Sequence, residues 1–235
     1  MNVAIITAGG VGSRFGQDVP KQFLTVDDKP IIIYTLEKFE KCKDIDAIAV
    51  VCLKGFEGML DAYAKQYNVT KLKWIFPGGD TGMQSIQNAV FGLEGQVKDD
   101  DVIVVHDGVR PNLSTNLIST CVKKTKENGN AIAYVPNPEV PFYEVNGKME
   151  ILDREKLYRV TTPGGCVYGL LNKLHKQANE KGYTNLVSTP NLLYAFNVEQ
   201  TFFIGESTNF KITTLEDMVM FKALLSVEKS AWEKE

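Results

Sequence analysis

The stretch that decides the fold reads NVAIITAGGVGSRFG at residues 2–16. It starts with a short apolar run at residues 2–7, which ends abruptly at Gly9 and Gly10, as a buried parallel strand does before a crossover connection. The small residues of the loop allow backbone N–H groups to approach an anion closely. The stretch therefore predicts a first strand that leads directly into a phosphate-binding loop.

Four further apolar runs have the length of buried strands: 46–53, 71–76, 101–105 and 130–135. Amphipathic patterns with a helical period separate them, at about 30–42, 56–67, 82–94 and 114–128. This alternation predicts an α/β fold, with a Rossmann-like, mostly parallel sheet that helices cover on both faces. A last helix is expected at about 214–228, with Thr213 or Thr214 as its N-cap.

The alternation ends after the fifth apolar run, where residues 142–151 read as a β-hairpin on the turn Asn146-Gly147. A two-stranded hairpin is not stable alone in water, so it must pack on the body of the protein or on a partner subunit. We therefore expect a single domain over residues 1–235 with an inserted arm at about 137–160. We also expect a homodimer that forms through this arm.

The composition limits the possible partners. The chain has 26 Lys and Arg against 29 Asp and Glu, a formal net charge of −3, which argues against a broad nucleic-acid-binding surface. No apolar run reaches the roughly 20 residues that span a bilayer, and a strand pattern stands where a signal peptide needs a basic start. We expect a cytoplasmic protein with neither nucleic acid nor membrane as a partner.

Cysteines and one of the two histidines give no sign of metal or redox chemistry. His175 lies in a helical stretch rich in Lys and Gln, so we expect it at the surface. The four cysteines lack the short spacing of a zinc or redox motif, and we expect buried free thiols. They are Cys42, Cys52, Cys121 and Cys166.

Two common phosphate-binding motifs fit the glycine-rich loop poorly. A P-loop ends in Gly-Lys-Ser/Thr, which this loop lacks. A dinucleotide fingerprint needs a third glycine where Phe15 stands, and an acidic residue where Leu53 and Lys54 end the second strand. More informative are Arg14 and Lys21, because two cations from one loop can bracket a triphosphate and stabilise charge on the reacting phosphorus and the departing pyrophosphate.

The pattern Ala-Gly-Gly-x-Gly-x-Arg at residues 8–14, followed by Pro-Lys-Gln at 20–22, resembles the cytidylyltransferases that act on 2-C-methylerythritol 4-phosphate and on ribitol 5-phosphate. The resemblance covers nearly the whole chain and implies the fold of nucleotide-diphospho-sugar transferases. It also implies catalytic roles for Arg14 and Lys21. A tight turn with an exposed basic face is the alternative explanation of these residues.

The segment GGDTGMQSI at residues 78–86 is similar to the family stretch that surrounds the cytosine ring. The family's usual arginine in this stretch is replaced here by Gly82. A plain turn before a helix is the alternative explanation of Gly78 and Gly79. The resemblance implies nucleotide-binding roles for eight residues: Ala8, Gly9, Gly10, Gly12, Gly79, Asp80, Ser85 and Gly108.

The stretch VHDGVRP at residues 105–111 puts an acidic residue at the carboxyl end of a buried strand, where open α/β sheets bind their ligands. A carboxylate there suits Mg²⁺ bound together with substrate phosphates, so Asp107 is the candidate metal ligand and Mg²⁺ the expected cofactor. The pattern His-Asp-x-x-Arg-Pro matches a family hallmark. Arg110 either pairs with Asp107 or contacts the acceptor, and a structural role is favoured for His106.

The resemblance implies that the C-terminal half of the chain binds the acceptor. Arg154 matches an arginine that reaches the acceptor phosphate from the neighbouring subunit, and Lys211 matches a lysine at the reacting phosphates. Solvated salt bridges are the alternative explanation for both residues.

The departures from the family pattern fall on the acceptor side. Val140 stands where relatives have a threonine, and Gly164 follows Thr-Pro where relatives have glutamine. Residues 188–190 read Ser-Thr-Pro where relatives have Thr-Asp, so a carboxylate that could hold polyol hydroxyls is missing. The nucleotide half is therefore typical of the family and the acceptor half is not.

The motifs KQFL at residues 21–24 and NFKITT at 209–214 favour the ribitol-phosphate branch. The resemblance then implies that CTP and a phosphorylated polyol, D-ribitol 5-phosphate, react to give CDP-ribitol and pyrophosphate for a wall or capsule polymer. The mechanism would be in-line attack by the acceptor phosphate on the α-phosphorus of CTP. Three alternatives remain: the 2-C-methylerythritol 4-phosphate enzyme of isoprenoid synthesis, a cytidylyltransferase for another polyol or sugar phosphate, and a catalytically silent nucleotide-binding protein.

Overall fold

The structure is a computed structural model that describes residues 1–10 and 19–232. The described residues form eleven strands: β1 (Asn2–Ala8), β2 (Thr25–Val26), β3 (Lys29–Pro30), β4 (Ala47–Cys52), β5 (Leu72–Pro77), β6 (Val102–Asp107), β7 (Asn130–Pro136), β8 (Phe142–Val145), β9 (Lys148–Ile151), β10 (Tyr158–Val167) and β11 (Phe202–Ile204). They also form seven α-helices: α1 (Ile31–Lys41), α2 (Glu57–Gln66), α3 (Gly82–Gly92), α4 (Thr115–Asn128), α5 (Tyr168–Glu180), α6 (Thr189–Ala195) and α7 (Leu215–Trp232).

Seven of the strands form the main sheet, in the order β11-β7-β10-β6-β1-β4-β5. Strands β5, β4, β1 and β6 run parallel, and β11 runs parallel to β7. Strand β10 lies antiparallel between β6 and β7. The predicted α/β fold with a mostly parallel sheet is confirmed, and the antiparallel strand is an addition that the sequence patterns did not predict.

The core lies in two layers, one on each face of the sheet, because successive strand residues point to opposite faces. In β1, Ile6 packs in the layer beneath α1, α2 and α4, whereas Ile5 packs in the layer beneath α3 and α5. Both side chains are fully buried, and burying each stabilises the fold by about 1.5–3 kcal/mol. A strand buried on both faces is therefore fixed in position, and so is the loop that follows it.

The start of α7 anchors the segment that precedes it. Thr214 Oγ1 accepts a hydrogen bond from the Asp217 backbone N–H at 3.3 Å, while the Asp217 carboxylate accepts from the backbone N–H of Thr214 at 2.9 Å. This reciprocal pair is a capping box, and it confirms Thr214 as the N-cap. Ile212 and Phe221 pack with Val109 in a small separate core cluster. The C-terminal segment is thereby fixed against the loop that follows β6.

The predicted hairpin is confirmed as β8 and β9, which pair only with each other among the described strands. Its turn residues, Asn146 and Gly147, have φ angles of 52° and 77°, as an Asn-Gly hairpin turn requires. The side chains of Phe142, Met149 and Ile151 are exposed on this arm. An arm with this much exposed apolar surface lacks a core of its own.

The prediction of a surface position for His175 is wrong, since this side chain is 1% exposed. Lys173 and Lys176 form the outer face of α5, whereas Leu171, Leu174 and His175 share its buried face. The four cysteines are free and buried, as predicted. Within the part of the chain that the structure describes, no helix is both long enough and apolar enough to cross a membrane.

Candidate active site

Three loops leave the sheet at the same edge, because β1, β4 and β6 are parallel and in register. Thr7 of β1 pairs with Asp107 of β6, and Ala8 pairs with Cys52 of β4. The backbone N–H of Gly108 donates to the Thr7 carbonyl oxygen at 2.9 Å. The carboxyl edge of the sheet thus brings together the loops that the sequence predicts to bind nucleotide and metal.

The buried side-chain amide of Gln22 fixes the start of the glycine-rich loop through hydrogen bonds. Gln22 Nε2 donates to the carbonyl oxygens of Ala8 at 2.7 Å and Gly10 at 3.0 Å, and Gln22 is 1% exposed. Gln22 belongs to the motif Pro-Lys-Gln, but the sequence alone does not indicate this role for it. The predicted residues Gly12 and Arg14 lie outside the described residues.

Lys21 stands at the start of a single turn of 3-10 helix, Lys21–Phe23, and is half-buried. The two residues that follow it are anchored, Gln22 by its amide and Phe23 by a stacked contact with Phe56 at 5.3 Å between ring centroids. Because its neighbours are fixed, the backbone of Lys21 has a fixed position beside the glycine-rich loop.

The segment that precedes α3 packs directly on the glycine-rich loop. A Cβ atom on Gly9 would lie 3.2 Å from both the Gly78 Cα and the Ser85 Oγ, so a side chain at residue 9 would crowd this contact. Ser85 Oγ accepts a hydrogen bond from the Gly79 N–H at 3.0 Å, and Gln84 Oε1 accepts from the Asp80 N–H at 2.8 Å. The predicted residues Gly79, Asp80 and Ser85 are thus brought together with Gly9.

Asp107 lies between two cations. Its Oδ2 accepts from Arg110 Nε at 2.7 Å, and its Oδ1 accepts from Lys211 Nζ at 3.1 Å. Burial alone would raise the pKa of Asp107, but Lys211 and Arg110 outweigh burial and lower the pKa to about 2. Asp107 is therefore ionised at every pH at which the protein would work.

Lys211 reaches this position because backbone contacts hold its segment across the loop after β6. The N–H of Ile212 donates to the Val109 carbonyl oxygen at 2.9 Å, and Arg110 Nη1 donates to the Asn209 carbonyl oxygen at 3.0 Å. Asn209 is 1% exposed, and its side-chain amide donates to the Thr162 carbonyl oxygen. Sequence reasoning missed Asn209, although a polar residue beside a predicted catalytic lysine was a usable signal.

His106 is fully buried, with its ring 5.3 Å from that of Phe39 and its Nε2 3.0 Å from the Arg110 carbonyl oxygen. Burial lowers the pKa of His106 to about 4, so the imidazole is neutral at pH 7. A buried neutral ring that braces the loop through Arg110 agrees with the structural role favoured from the sequence.

A cavity of about 320 Å³ opens beside the Asp107 and Lys211 side chains. We call it the acceptor cavity. Its charged end is formed by Asp107, Arg110 and Lys211, and its walls include Gly82, Gly164 and residues 187–190. Arg154 lies on the arm, is exposed, and is not among the described residues that line this cavity.

The chain matches the profile of the family described as IspD, 2-C-methyl-D-erythritol 4-phosphate cytidylyltransferase, over residues 2–227. A ribitol-5-phosphate cytidylyltransferase from Lacticaseibacillus paracasei is 37% identical over 229 residues, which cover 96% of this chain and 98% of that protein. The chain belongs to the IspD family. A 2-C-methyl-D-erythritol 4-phosphate cytidylyltransferase from Desulforamulus reducens is 34% identical over 236 residues, covering 98% of this chain and 97% of that protein.

The fold agrees with a solved structure of the IspD family. The 4-diphosphocytidyl-2C-methyl-D-erythritol synthase from Anaerococcus prevotii has a TM-score of 0.82 with this chain at 22% identity, covering 96% of each chain. A likeness at this identity concerns the fold. The family membership makes this IspD-family chain an enzyme, a cytidylyltransferase that transfers CMP from CTP.

The IspD-family site offers one carboxylate to a metal ion. Among the described residues, no group of three or more His, Cys, Asp or Glu side chains could hold a metal on its own. Mg²⁺ usually takes one or two protein carboxylates and fills its remaining positions with substrate phosphates and water. The ionised Asp107 therefore fits an ion that arrives with CTP better than one that is bound permanently.

Proposed function

We propose that this protein transfers CMP from CTP to D-ribitol 5-phosphate, giving CDP-ribitol and pyrophosphate. The observation that carries the proposal is the contact of Lys211 with Asp107 at the carboxyl edge of the sheet, beside the loops of Gly9 and Gly79. It supports a site in which fixed cations and one carboxylate meet the phosphates of two substrates.

The choice of acceptor is supported by the names of relatives. The relative at 37% identity is named for ribitol 5-phosphate, and the motifs at residues 21–24 and 209–214 favour the same branch. CDP-ribitol is an activated building block, so we propose that the product feeds a cell-wall or capsule polymer. CTP is kept inside cells, which supports a cytoplasmic reaction.

The second candidate acceptor is 2-C-methyl-D-erythritol 4-phosphate. It is supported by the Desulforamulus reducens relative, which is named for this substrate and is 34% identical. The sequence of the acceptor side argues against it, because residues 188–190 lack the expected carboxylate.

The proposed mechanism needs charge stabilisation and alignment rather than a general base. The acceptor phosphate is already an anionic nucleophile at pH 7, and it attacks the α-phosphorus of CTP in line with the departing pyrophosphate. Lys211 and Lys21 stabilise the negative charge that gathers on the reacting phosphates, and Arg14 is proposed to act with them. Arg110 keeps Asp107 oriented through the 2.7 Å hydrogen bond.

Mg²⁺ is the proposed cofactor, with Asp107 as its protein ligand. When bound, the ion would neutralise part of the phosphate charge. The low pKa of Asp107, about 2, supports this role, since a ligand carboxylate must be deprotonated.

We also propose a homodimer that forms through the arm. Exposed apolar side chains lie on the arm at Met149 and Ile151, and on strands β10 and β11 at Tyr158 and Phe202. Large exposed apolar areas of this kind mark interaction surfaces. In such a dimer, Arg154 of each arm would reach the acceptor cavity of the other subunit.

An acceptor panel tests the proposed function. The purified protein is incubated with Mg²⁺ and CTP against ribitol 5-phosphate, 2-C-methylerythritol 4-phosphate and glycerol 3-phosphate, and pyrophosphate release is followed. We expect release to be fastest with ribitol 5-phosphate. Release with 2-C-methylerythritol 4-phosphate alone would contradict the proposed acceptor, and it would support the second candidate.

A further inference from the structure

The acceptor cavity has an uneven lining. Of the described residues that line it, the charged ones are Asp107, Arg110 and Lys211, and all three lie together at one end. The rest of the wall is uncharged, with hydroxyl side chains such as Thr161 and Thr189 next to apolar ones. The charged end suits the phosphate of an acceptor, so the uncharged end faces the remainder of the molecule.

Two glycines leave this cavity open. A Cβ atom added to Gly82 would meet no atom within 4 Å, and one added to Gly164 would meet only the Ala131 carbonyl oxygen, at 3.8 Å. Side chains at both positions would therefore have room, and they would take up space that is now free.

The backbone does not require glycine at either position. Among the residues that the structure describes, the glycines with positive φ are Gly55, Gly95, Gly129, Gly147 and Gly182, and neither cavity glycine is one of them. Gly82 is the first residue of α3, where most other residues would form the helix at a lower entropic cost. The physical effect of these two glycines is therefore to leave free space in the cavity.

The sequence departs from the family pattern at the same places. Gly82, Gly164 and residues 188–190 are distant in the chain, yet all of them line the acceptor cavity, whereas the remaining departure, Val140, lies on the arm outside it. Departures spread by chance over the surface would not meet in one cavity. Their position in one cavity indicates that the acceptor of this protein differs from the acceptors of relatives that keep the family pattern.

We infer that Gly82 and Gly164 determine acceptor specificity, and that the site takes phosphorylated polyols that are bulkier than a straight five-carbon chain. This inference rests on the proposed function. The additional part of the acceptor is uncharged, because the far wall offers no described side chain of opposite charge to pair with it.

Hydroxyl groups on the acceptor would find partners in this wall. Thr189 is 6% exposed, and its Oγ1 has no hydrogen-bond partner among the described residues. The Oγ1 of Thr161 is also buried and without a partner there. Both residues line the cavity, so their hydroxyls are candidate partners for a bound polyol.

A panel of acceptors of graded length tests the inference. Wild-type protein and the variants Gly82→Arg and Gly164→Gln are assayed with CTP against glycerol 3-phosphate, ribitol 5-phosphate, sorbitol 6-phosphate and a heptitol 7-phosphate. Gly58→Arg is the matched control, since Gly58 is an exposed glycine of α2 with open space around its Cβ position and lies outside the cavity.

We expect wild-type kcat/KM for the six- and seven-carbon acceptors to be at least as high as for ribitol 5-phosphate. In each cavity variant, the ratio of kcat/KM with the longer acceptors to kcat/KM with ribitol 5-phosphate should fall about 10-fold or more from its wild-type value, since pocket shape sets such ratios. The control should behave as wild type. Thermal unfolding shows whether each variant is folded. Gly82→Ala and Gly164→Ala are milder replacements, and we expect them to disfavour the longer acceptors in the same direction.

The inference is overturned if the wild type rejects both longer acceptors while it uses ribitol 5-phosphate. It is also overturned if folded cavity variants lose all acceptors equally. Pyrophosphate release with none of the acceptors is a different result, because it contradicts the proposed function itself and the inference falls with it.

Discussion

The Lys211 ammonium lies 3.1 Å from Oδ1 of Asp107, although the two residues are 104 positions apart in the chain. The ion pair is only partly shielded, since the Lys211 side chain is 42% exposed and the Asp107 side chain 20%. A half-exposed pair contributes little to stability. Its position at the carboxyl edge of the sheet is therefore better explained by the chemistry of phosphates than by the stability of the fold.

Replacing Lys211 should affect the rate more than the fold. We expect Lys211→Ala to lower kcat by about 100-fold or more, as loss of a charge-stabilising group does, with unfolding free energy changed by less than about 1 kcal/mol. Lys211→Arg, which keeps the charge, should retain more activity than alanine. Steady-state kinetics and urea unfolding check both points, and full activity in folded Lys211→Ala would remove this residue from the mechanism.

Gln22 should act on nucleotide binding through the glycine-rich loop. We expect Gln22→Leu to cost about 1–3 kcal/mol of stability and to raise the KM for CTP more than it lowers kcat, because the carbonyls of Ala8 and Gly10 lose their donor. Gln177→Leu is the matched control, since Gln177 is half-buried on α5 and is not among the described residues that line the cavities beside Asp80 and Asp107. An unchanged KM in Gln22→Leu would show that the amide does not shape the loop.

Parts of the site could be predicted from the sequence because the signal is local. An apolar run followed by small residues, or a carboxylate at the end of such a run, identifies a loop at the carboxyl edge without knowledge of the partner strands. Asp107 and Gly79 are of this kind. Their arrangement next to Gly9 follows from parallel pairing in register, which the alternation of strands and helices implies.

Other parts could not be predicted because their signal is not local. Strand β10 reads as a loop in the sequence, since Pro163 and two glycines interrupt it, and the register shifts between Val160 and Gly164. The role of Asn209 depends on Thr162, which is distant in the chain. The burial of His175 could not be predicted because the neighbouring lysines, which lie on the opposite face of its helix, made the whole stretch read as exposed.

The two histidines of the chain should make stability depend on pH. Burial lowers the pKa of both His106 and His175 to about 4, below the ordinary value of 6.5. Between pH 4 and 6.5 the unfolded chain binds more protons than the folded one, so stability should fall as pH falls through this window. Each histidine contributes a slope of up to about 1.4 kcal/mol per pH unit.

Urea unfolding at several pH values between 4 and 7 measures this slope. We expect His175→Phe to reduce the pH dependence of the unfolding free energy by the contribution of one histidine, because phenylalanine does not titrate. A variant curve parallel to that of the wild type would show that His175 is not neutral and buried in the folded protein.

Mixing two inactive variants tests whether Arg154 acts across a dimer. Lys211→Ala removes a cation at the acceptor cavity of its own subunit, whereas Arg154→Ala removes one that is proposed to reach the cavity of the partner. In a mixed dimer one site carries both defects and the other carries none, so we expect activity to return on mixing. Activity that stays at the level of the separate variants would contradict a site shared between subunits.

The most direct test of the central claim is to follow the α-phosphorus of CTP. The protein is incubated with Mg²⁺, ribitol 5-phosphate and CTP radiolabelled at the α-phosphorus, and the labelled products are separated by chromatography and quantified. We predict a labelled CDP-ribitol that forms together with an equal amount of pyrophosphate, and no such product with UTP, ATP or GTP in place of CTP. Label that stays in CTP, or that appears only in free CMP, would contradict the account.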